Sequence, residues 1–529
     1  MSLDATLGLQ VQPHQFYGIE IEEWPAQIAE TAMFLVDHQE NVRMQLEFGN
    51  APERLPITES PTIIHGDALR IDWTDVCTID DNTRIMGNPP FMGRYTRTKE
   101  QTKELQVIFN NSKGSGNIDY VAAWFAKAAD NIAGTKAIAA FVATNSISQG
   151  EQPGVIWAHL HHFDVGVRFA YATFPWSNSA PGEAAVHCVI AGIQSAKDLP
   201  VERPLWVVGA ADPVMATNIN RYLADGPDPA IGSRRIPITL DAPIMRFGSM
   251  PHDGGHLLLA PEEKDSLLQI APESEPFIRR LIGSSELIRG HERFCIWVED
   301  GQTPIAGKIP ALREIATRVR DVRLKSPDPA AVKAAARPLT FKARRQPLTN
   351  YLAVPSVSSE RRDYVPMAMF PPTVIASNLL LTIADATTYT FGMLHSSVFN
   401  AWNKTVSGRL ESRFRISAEI TYNNFPWPTP TDVQREIIET AAQTVMDVRG
   451  NYPDSSLADL YDPLSMPTDL LKAHKALDKA VLSAYGLPAG ATDTEILAEL
   501  FKRYEALTKA DQLPLPAKKA ARKRAAKKT

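Results

Sequence analysis

Two consecutive prolines limit how residues 84–91 can fold. The run Arg84-Ile85-Met86-Gly87 predicts a short buried strand, and Asn88-Pro89-Pro90-Phe91 follows it directly. Because proline lacks a backbone N–H and fixes its φ angle, the strand must end there and the chain must turn. In open α/β sheets, ligands bind at the carboxyl ends of the strands. The sequence therefore predicts a side-chain amide, a rigid carbonyl and an aromatic ring at such an end.

These three groups suit a planar heterocycle that carries an exocyclic amine. The Asn88 amide and the Pro89 carbonyl can accept hydrogen bonds from the amine, and the Phe91 ring can stack on the heterocycle. Enzymes that modify a base amine hold the extruded base in this way. The alternative interpretation is that Asn-Pro-Pro is only a turn signal.

Composition restricts the class of protein. Of the 529 residues, 44% are hydrophobic and 22% are charged, which is typical of a globular chain with several domains. No apolar run is long enough to cross a bilayer and no signal peptide is recognisable. Cys77, Cys188 and Cys295 form neither a disulfide framework nor a zinc pattern. We therefore expect a cytoplasmic setting without a membrane partner.

The net charge of −5 conceals an uneven distribution of basic residues. Residues 277–345 hold 15 lysines and arginines against seven acids, and the last 13 residues hold seven bases and no acid. A basic stripe on an acidic chain is one pattern that binds phosphate, and a solvated helix face is the alternative preferred for any single run. The predicted helix 311–326 contributes four of these arginines, for which we favour DNA contact: Arg313, Arg318, Arg320 and Arg323.

The first 195 residues alternate between predicted strands and helices. Hydrophobic periodicity predicts strands at 16–21, 62–65, 84–87, 136–143, 164–172 and 184–193. It predicts helices at 25–38, 98–109, 118–132 and 155–162. Loops are predicted at 41–61 and 74–83, and 174–178 is predicted to be a short aromatic link. This alternation favours an α/β sheet with helices on its faces.

Acidic residues follow two of these strands. Glu20 lies at the end of strand 16–21, where a carboxylate can accept hydrogen bonds from both hydroxyls of a ribose. Asp67 lies just beyond strand 62–65, where it could accept from the adenine amine of a nucleoside cofactor. The alternative for Glu20 is an ordinary strand-end charge. Asp119 is a suitable acid for the start of helix 118–132 and a further candidate for the site.

The order of these motifs resembles that of N6-adenine DNA methyltransferases, in particular the large single-chain MmeI-like type II restriction–modification enzymes. The resemblance extends over nearly the whole chain and is carried by the segments 18–21, 66–69, 87–91, 119–120, 144–146, 174–175, 358–362, 408–410 and 423–428. It implies a class I S-adenosylmethionine-dependent (Rossmann-like) methyltransferase domain at 1–195. An α+β target recognition region at 196–430, a helical region at 431–516 and a disordered basic tail at 517–529 would follow.

The resemblance also implies a function and a set of site residues. The chain would transfer a methyl group from S-adenosylmethionine to adenine N6 in duplex DNA, after flipping the base and without a metal. The catalytic residues would be Asn88, Pro89, Pro90 and Phe91. The cofactor would be bound by Glu20, Ile21, Asp67, Ala68 and Asn88. The flipped base would lie between Phe91 and Phe174, and DNA would be bound by Arg361, Arg362, Arg409 and Arg413.

One departure from the family pattern affects the cofactor site. The family has a Gly-rich loop upstream of the strand that carries Glu20, but here the only preceding glycines are Gly8 and Gly18. We therefore expect the first strand, its loop and any nuclease to be missing, with a separate N-terminal polypeptide or nuclease as a partner. The alternatives are an inactive DNA-binding specificity protein, methylation of cytosine N4, and methylation of RNA or protein glutamine.

Overall fold

The computed structural model describes residues 10–49, 51, 59–176, 186–410 and 412–511. They form two compact units. The first consists of Met1–Thr144, Val155–Ala170 and Val189–Val201, and the second of Asn145–Gly154, Tyr171–Cys188 and Glu202–Thr529, as far as these are described. The predicted tail at 517–529 lies outside the described residues.

Strands and helices alternate along the first 195 residues. In chain order they are β1 (Tyr17–Glu20), α1 (Glu23–Phe48), β2 (Thr62–His65), α2 (Trp73–Val76), β3 (Arg84–Gly87), α3 (Lys99–Ile108), α4 (Ala122–Ile132), β4 (Ile138–Thr144), α5 (Gln152–His162), β5 (Val165–Trp176) and β6 (Val186–Ser195). The predicted strands and the mixed α/β class are therefore confirmed, whereas the Rossmann-like arrangement remains a prediction.

These strands belong to two sheets. Strands β1 and β2 form a parallel pair in which Glu20 lies opposite His65. The other sheet has the order β3-β4-β6-β5-β7-β8, in which β7 is Arg203–Trp206 and β8 is Val214–Ala216. Strand β3 runs parallel to β4, whose alternate residues are buried. Phe141 of β4 packs edge-on against Phe125 of α4, which fixes α4 over the sheet.

The second unit combines small sheets with a helical region. Its further strands are β9 (Met245–Phe247), β10 (Leu258–Leu259), β11 (Ile278–Ile282), β12 (Phe294–Ile296), β13 (Tyr351–Pro355), β14 (Val357–Ser358), β15 (Ala368–Phe370), β16 (Ile375–Ala376), β17 (Leu380–Ala384), β18 (Gly408–Leu410) and β19 (Arg413–Arg415). They pair in the orders β10-β12-β11-β16, β15-β13-β17-β9 and β14-β19-β18.

Helices carry most of the core of the second unit. They are α6 (Pro261–Ile270), α7 (Ser284–Arg289), α8 (Thr303–Ala306), α9 (Pro310–Leu324), α10 (Pro329–Ala334), α11 (Thr388–Leu394), α12 (Ser397–Val406), α13 (Asp432–Gly450), α14 (Leu457–Leu460), α15 (Thr468–Ala484) and α16 (Asp493–Asp511). Trp402, Phe425 and Trp427 are buried in this core. The helical character predicted from residue 432 onward is confirmed.

Three predicted boundaries or faces are wrong. Helix α1 extends into the predicted loop 41–61 as far as Phe48, because Gly49, whose φ is 71°, is suited to end it. Strand β5 continues through Phe174 to Trp176, while residues 177–178 of the predicted link lie outside the described residues. On α13, apolar spacing predicts one face formed by Val433, Ile437, Ala441 and Val445. Val445 is buried and Ala441 half-buried, but Val433 and Ile437 are exposed.

Candidate functional site

Asn88-Pro89-Pro90-Phe91 directly follows β3, at the carboxyl end of the strand, as predicted. Pro89 is buried and Phe91 half-buried, whereas Asn88 and Pro90 are exposed. The loop therefore presents the Asn88 amide to solvent on a backbone that two prolines restrict. This geometry leaves the side chain accessible to a ligand.

Asp119 fixes the chain immediately beyond this loop. Its carboxylate accepts hydrogen bonds from the backbone N–H of Met92 at 3.3 Å and from the Thr144 hydroxyl at 2.9 Å. In return, the Tyr120 N–H donates to the Met92 carbonyl at 3.1 Å. Asp119 is only 5% exposed, so these bonds are shielded from water. The start of α4 and the end of β4 thus hold both backbone groups of Met92.

Arg97 fixes the same segment farther along. Its guanidinium donates to the carbonyl of Gly116 at 2.8 Å and to that of Ile118. Arg97 is 9% exposed, and this burial lowers its pKa while the charge of Asp119 opposes the shift. Residues 88–97 are therefore held at two points by one short segment, 116–120.

A chain of polar contacts connects Asp67 with this segment. One Asp67 oxygen accepts from the Leu69 N–H at 2.9 Å, and the other lies 3.3 Å from Arg70 Nε. Arg70 Nε also lies 3.2 Å from Glu104, which accepts a hydrogen bond from the Tyr120 hydroxyl. Burial and the Glu104 carboxylate raise the pKa of Tyr120, so the phenol keeps its proton as the donor.

Lys127 of α4 anchors the loop that contains Asp67 and Ala68. Its ammonium donates to the Leu69 carbonyl at 3.0 Å and to the Ile71 carbonyl, and it lies 5.7 Å from the centre of the Trp73 ring. Trp73 Nε1 donates to the Ala68 carbonyl at 2.9 Å. Burial lowers the pKa of Lys127. Asp67 and the Asn88 loop are thus both supported by α4.

Glu20 and Asp67 lie at the same end of the β1–β2 pair. Glu20 is half-buried and accepts from the Glu22 N–H at 3.2 Å, and the neighbouring Ile21 is exposed. A ring nitrogen of His65 lies 3.1 Å from the Ile21 carbonyl, which connects the two strand ends. Two carboxylates at adjacent ends of parallel strands are suited to ribose hydroxyls and an adenine amine. Their roles as cofactor ligands remain predictions.

Phe174 lies in the part of β5 that belongs to the second unit. It is half-buried, and its ring centre is 6.4 Å from that of Trp176. Its predicted position against the flipped base therefore remains a prediction.

Two of the four arginines predicted to bind DNA, Arg409 and Arg413, lie on the β14-β19-β18 sheet, and they differ in exposure. Arg413 and Arg415 flank the buried Phe414 on β19 and are exposed. Arg409 of β18 donates to Gln149 Oε1 at 3.0 Å, and its guanidinium carbon lies 3.9 Å from the centre of the Phe414 ring. Burial lowers the pKa of Arg409 to about 10. Its side chain is thus already engaged within the unit.

Arg361 and Arg362 follow β14. Arg361 is exposed, whereas Arg362 is half-buried, and burial lowers its pKa. Contact with DNA remains a prediction for all four arginines, and exposure favours Arg361 and Arg413.

Arg323, by contrast, cannot contact phosphate, so the DNA contact predicted for it is wrong. It is completely buried, and its guanidinium donates to five backbone carbonyls, those of Pro251, His252, Ala334, Arg337 and Thr340. These five bonds use all five N–H donors of the guanidinium. Arg323 therefore links separate backbone segments of the second unit. Arg313, Arg318 and Arg320 of the same helix are exposed.

Sequence reasoning missed most of the supporting residues. No local sequence pattern marks the residues that support the site, because each contacts a segment that is distant in sequence: Arg70, Arg97, Glu104 and Lys127. Asp119 was found through its position at a helix start. Within the described ranges, no cluster of three or more His, Cys, Asp or Glu could hold a metal, and no helix is long and apolar enough to span a membrane.

Comparison with protein families gives three matches in succession. The MmeI DNA-methyltransferase domain matches residues 2–204, the MmeI target recognition domain 225–429, and the MmeI C-terminal domain 430–511. Together with the fold, these matches define a protein that combines a methyltransferase-type domain with a target recognition domain.

Two individual proteins support this combination of a methyltransferase-type domain with a target recognition domain. A solved structure of the type IIL restriction–modification enzyme MmeI in complex with DNA is 41% identical, with a TM-score of 0.80 over 96% of this chain and 68% of that one. DNA methyltransferase A of Bacillus subtilis (strain 168) is 36% identical over 93% of this chain. The chain belongs to the MmeI family. It spans just over half, 56%, of the length of the Bacillus relative.

Proposed function

We propose that this chain transfers a methyl group from S-adenosylmethionine to adenine N6 in duplex DNA, within an MmeI-type restriction–modification system. The observation that carries the proposal is the loop after β3, in which an exposed Asn88 follows a strand end and precedes two prolines. The relatives support the coarser assignment, because they are described as a DNA methyltransferase and as a restriction–modification enzyme bound to DNA.

The loop acts by orienting the amine. Asn88 Oδ1 and the Pro89 carbonyl accept the two N–H bonds of the adenine amine, which directs the nitrogen lone pair toward the methyl donor. With S-adenosylmethionine bound, the new N–C bond would form as the methyl–sulfur bond breaks, with the sulfur leaving as a neutral thioether. The two acceptors would stabilise the positive charge on the nitrogen until its proton passes to solvent. Phe91 stacks on the flipped base and excludes water. Much of the rate enhancement comes from this fixed geometry, which Asp119 and Arg97 support.

Glu20 and Asp67 would hold the nucleoside part of the cofactor. The Glu20 carboxylate would accept from the ribose hydroxyls and Asp67 from the adenine amine. Both acids lie at the carboxyl end of the β1–β2 pair, as this role requires. When bound, S-adenosylmethionine supplies an activated methyl group, so the chain needs no nucleophile of its own.

DNA would be bound by the second unit, within the region that matches the target recognition domain. Arg361, Arg413 and Arg415 are exposed and are available to phosphates. Such contacts add affinity that falls with salt but carry no sequence information. Arg409 and Arg362 would act mainly by supporting this surface.

The proposal is tested by expressing the chain in a bacterial strain that lacks adenine methylation and sequencing its DNA for modified bases. We expect N6-methyladenine at one recurring sequence, and its loss with Asn88→Ala. Arg415→Ala serves as a control that retains the catalytic loop, and should lower the modified fraction without abolishing it. N4-methylcytosine instead would contradict the choice of base, and DNA identical to that of the empty strain would contradict methyl transfer.

A second candidate function is DNA recognition without catalysis. It is favoured by the separate match of residues 225–429 to a target recognition domain. A protein of this kind would retain DNA in binding assays with and without Asn88→Ala, and would leave the DNA unmodified.

A further inference from the structure

A tight turn follows the Asn88 loop and carries two exposed side chains at its tip. The backbone N–H of Thr96 donates to the Gly93 carbonyl at 3.2 Å, and the Thr96 hydroxyl donates to the same oxygen at 3.1 Å. Arg94 and Tyr95 are therefore the central residues of a β-turn. Tyr95 is 94% exposed, and the guanidinium carbon of the exposed Arg94 lies 5.8 Å from the centre of its ring. The turn thus presents an aromatic ring and a cation side by side to solvent.

This turn is fixed at both of its ends. Immediately before it, both backbone groups of Met92 are hydrogen-bonded to residues 119–120. Immediately after it, the buried Arg97 donates to the carbonyls of Gly116 and Ile118. A ring on an anchored turn loses less conformational freedom on binding than a ring on a mobile loop. The tip is therefore organised in advance to contact a partner.

The charge around the turn favours an anionic partner. Residues 1–81 hold 15 acids against three bases, whereas residues 82–99 hold four bases and no acid. Three of these four bases are exposed, namely Arg84, Arg94 and Lys99. An arginine can bind a phosphate, and the neighbouring aromatic ring offers a flat surface on which a base can stack. Together they are typical of a nucleic-acid-binding surface.

The position of Tyr95 along the chain limits what its ring can reach. Tyr95 follows Phe91 by four residues, so their Cα atoms are at most about 14 Å apart. A flipped base turns about its own backbone, so a base held at Phe91 leaves its gap in the stack just across the sugar–phosphate strand. We infer that Tyr95 enters the duplex and stacks in the space that the flipped adenine leaves, while Arg94 binds a neighbouring phosphate. The inference rests on the proposed methyl transfer and names the side chains that stabilise the flipped state.

The two side chains act on different steps. Flipping a base costs its pairing and stacking, and a ring inserted into the stack restores part of that stacking. Tyr95 therefore raises the population of the flipped state after DNA has bound, which increases kcat. The Arg94 contact forms with any phosphate, so it lowers the KM for DNA in a salt-dependent way.

The test measures methyl transfer by the purified full chain on a duplex that contains the sequence found modified in the bacterial genome. We expect Tyr95→Ala to lower kcat about tenfold or more, whereas Tyr95→Phe keeps the ring and should match wild type. The control Phe48→Ala removes a 74% exposed ring from the end of α1 and should also match wild type. Arg94→Ala should raise the KM for DNA and reduce its salt dependence, with kcat nearly unchanged.

A second duplex separates insertion into the stack from contact outside the helix. In it the target adenine faces an abasic site, so extrusion costs less, and the defect of Tyr95→Ala should shrink to less than about threefold. An equal defect on both duplexes would place Tyr95 outside the stack and overturn the inference. A normal kcat for Tyr95→Ala would overturn it as well. Because Tyr95 is almost fully exposed, its variants should fold normally, which an unchanged Tm verifies.

The same measurements separate this inference from the proposed function. If wild type and Tyr95→Ala methylate DNA equally fast while Asn88→Ala does not, the inference alone is wrong. If the wild-type chain methylates no DNA, methyl transfer is contradicted and the inference is overturned with it.

Discussion

At the scale of single residues, Asp119 connects three segments that are distant in sequence. It holds Met92 beyond the Asn88 loop, the start of α4 and Thr144 at the end of β4. A buried carboxylate that loses a partner bears the full cost of desolvation, so each bond here stabilises the position of the loop. Asp119 is therefore a positioning residue and does not contact the reacting atoms.

Thr144→Val tests this role, because valine has the shape of threonine but cannot donate to Asp119. We expect faster amide exchange across residues 88–97 and slower methyl transfer, with cofactor and DNA affinity nearly unchanged. The loss of stability should be about 1–3 kcal/mol, measured by denaturant unfolding. The control Thr144→Ser keeps the hydroxyl and should exchange like wild type. If amide exchange across residues 88–97 is the same in Thr144→Val as in the wild-type protein, Asp119 does not position the loop.

Arg323 shows why residue type alone misleads. In the sequence it is one of several arginines on an amphipathic helix, and a basic helix face favours phosphate contact. In the fold, its position on α9 directs it inward, where it satisfies five carbonyls of surrounding segments. Those partners span residues 251–340, so no local pattern could have revealed them.

At the scale of elements, helices α11, α13 and α15 enclose two buried histidines. His395 is completely buried, and its ring centre lies 5.0 Å from that of His474. His474 is hydrogen-bonded to the Tyr461 hydroxyl at 3.0 Å and stacks on Tyr364 at 4.0 Å. Burial, with the positive charge of Arg449, lowers the pKa of His474 to about 3 and that of His395 well below its usual value.

From the low pKa values of His395 and His474 we predict that the protein loses stability in mild acid. The unfolded histidines bind protons below about pH 6.5 while the folded ones do not, so the free energy of unfolding decreases as the pH falls from 6.5 toward 3. The slope should reach at most about 1.4 kcal/mol per pH unit for each histidine. Urea unfolding between pH 7 and pH 5 measures it. His395→Phe should reduce the slope, and the exposed control His291→Gln should not. An unchanged slope in His395→Phe would contradict the assignment.

The positions of helices and strands along the chain were more predictable than the side of each helix that is buried. Strands β1 to β4 followed from apolar runs bounded by turn residues. On α13, however, apolar residues occur as neighbours at 437–438 and 441–442, and a shift of one residue turns the helix by about 100°. The predicted face contained Ile437, whereas Ile438, Ala442 and Val445 are buried. Packing against α11 and α15, which the pattern does not contain, decides between the two.

At the scale of the whole molecule, the family and the order of its regions could be predicted, because the motifs of the first half are short and specific. The residues that support the site could not be predicted, because their contacts span 16 to 58 residues of sequence: Arg70, Arg97, Glu104 and Lys127.

The central claim is that this chain contains the cofactor and target-base site of a methyltransferase. Calorimetric titration of the full chain with S-adenosylmethionine tests it most directly. We predict saturable binding of one equivalent, weakened about tenfold or more by Glu20→Ala and unchanged by the control Arg361→Ala. A folded chain that retains DNA but binds no S-adenosylmethionine would contradict the claim and leave a recognition protein.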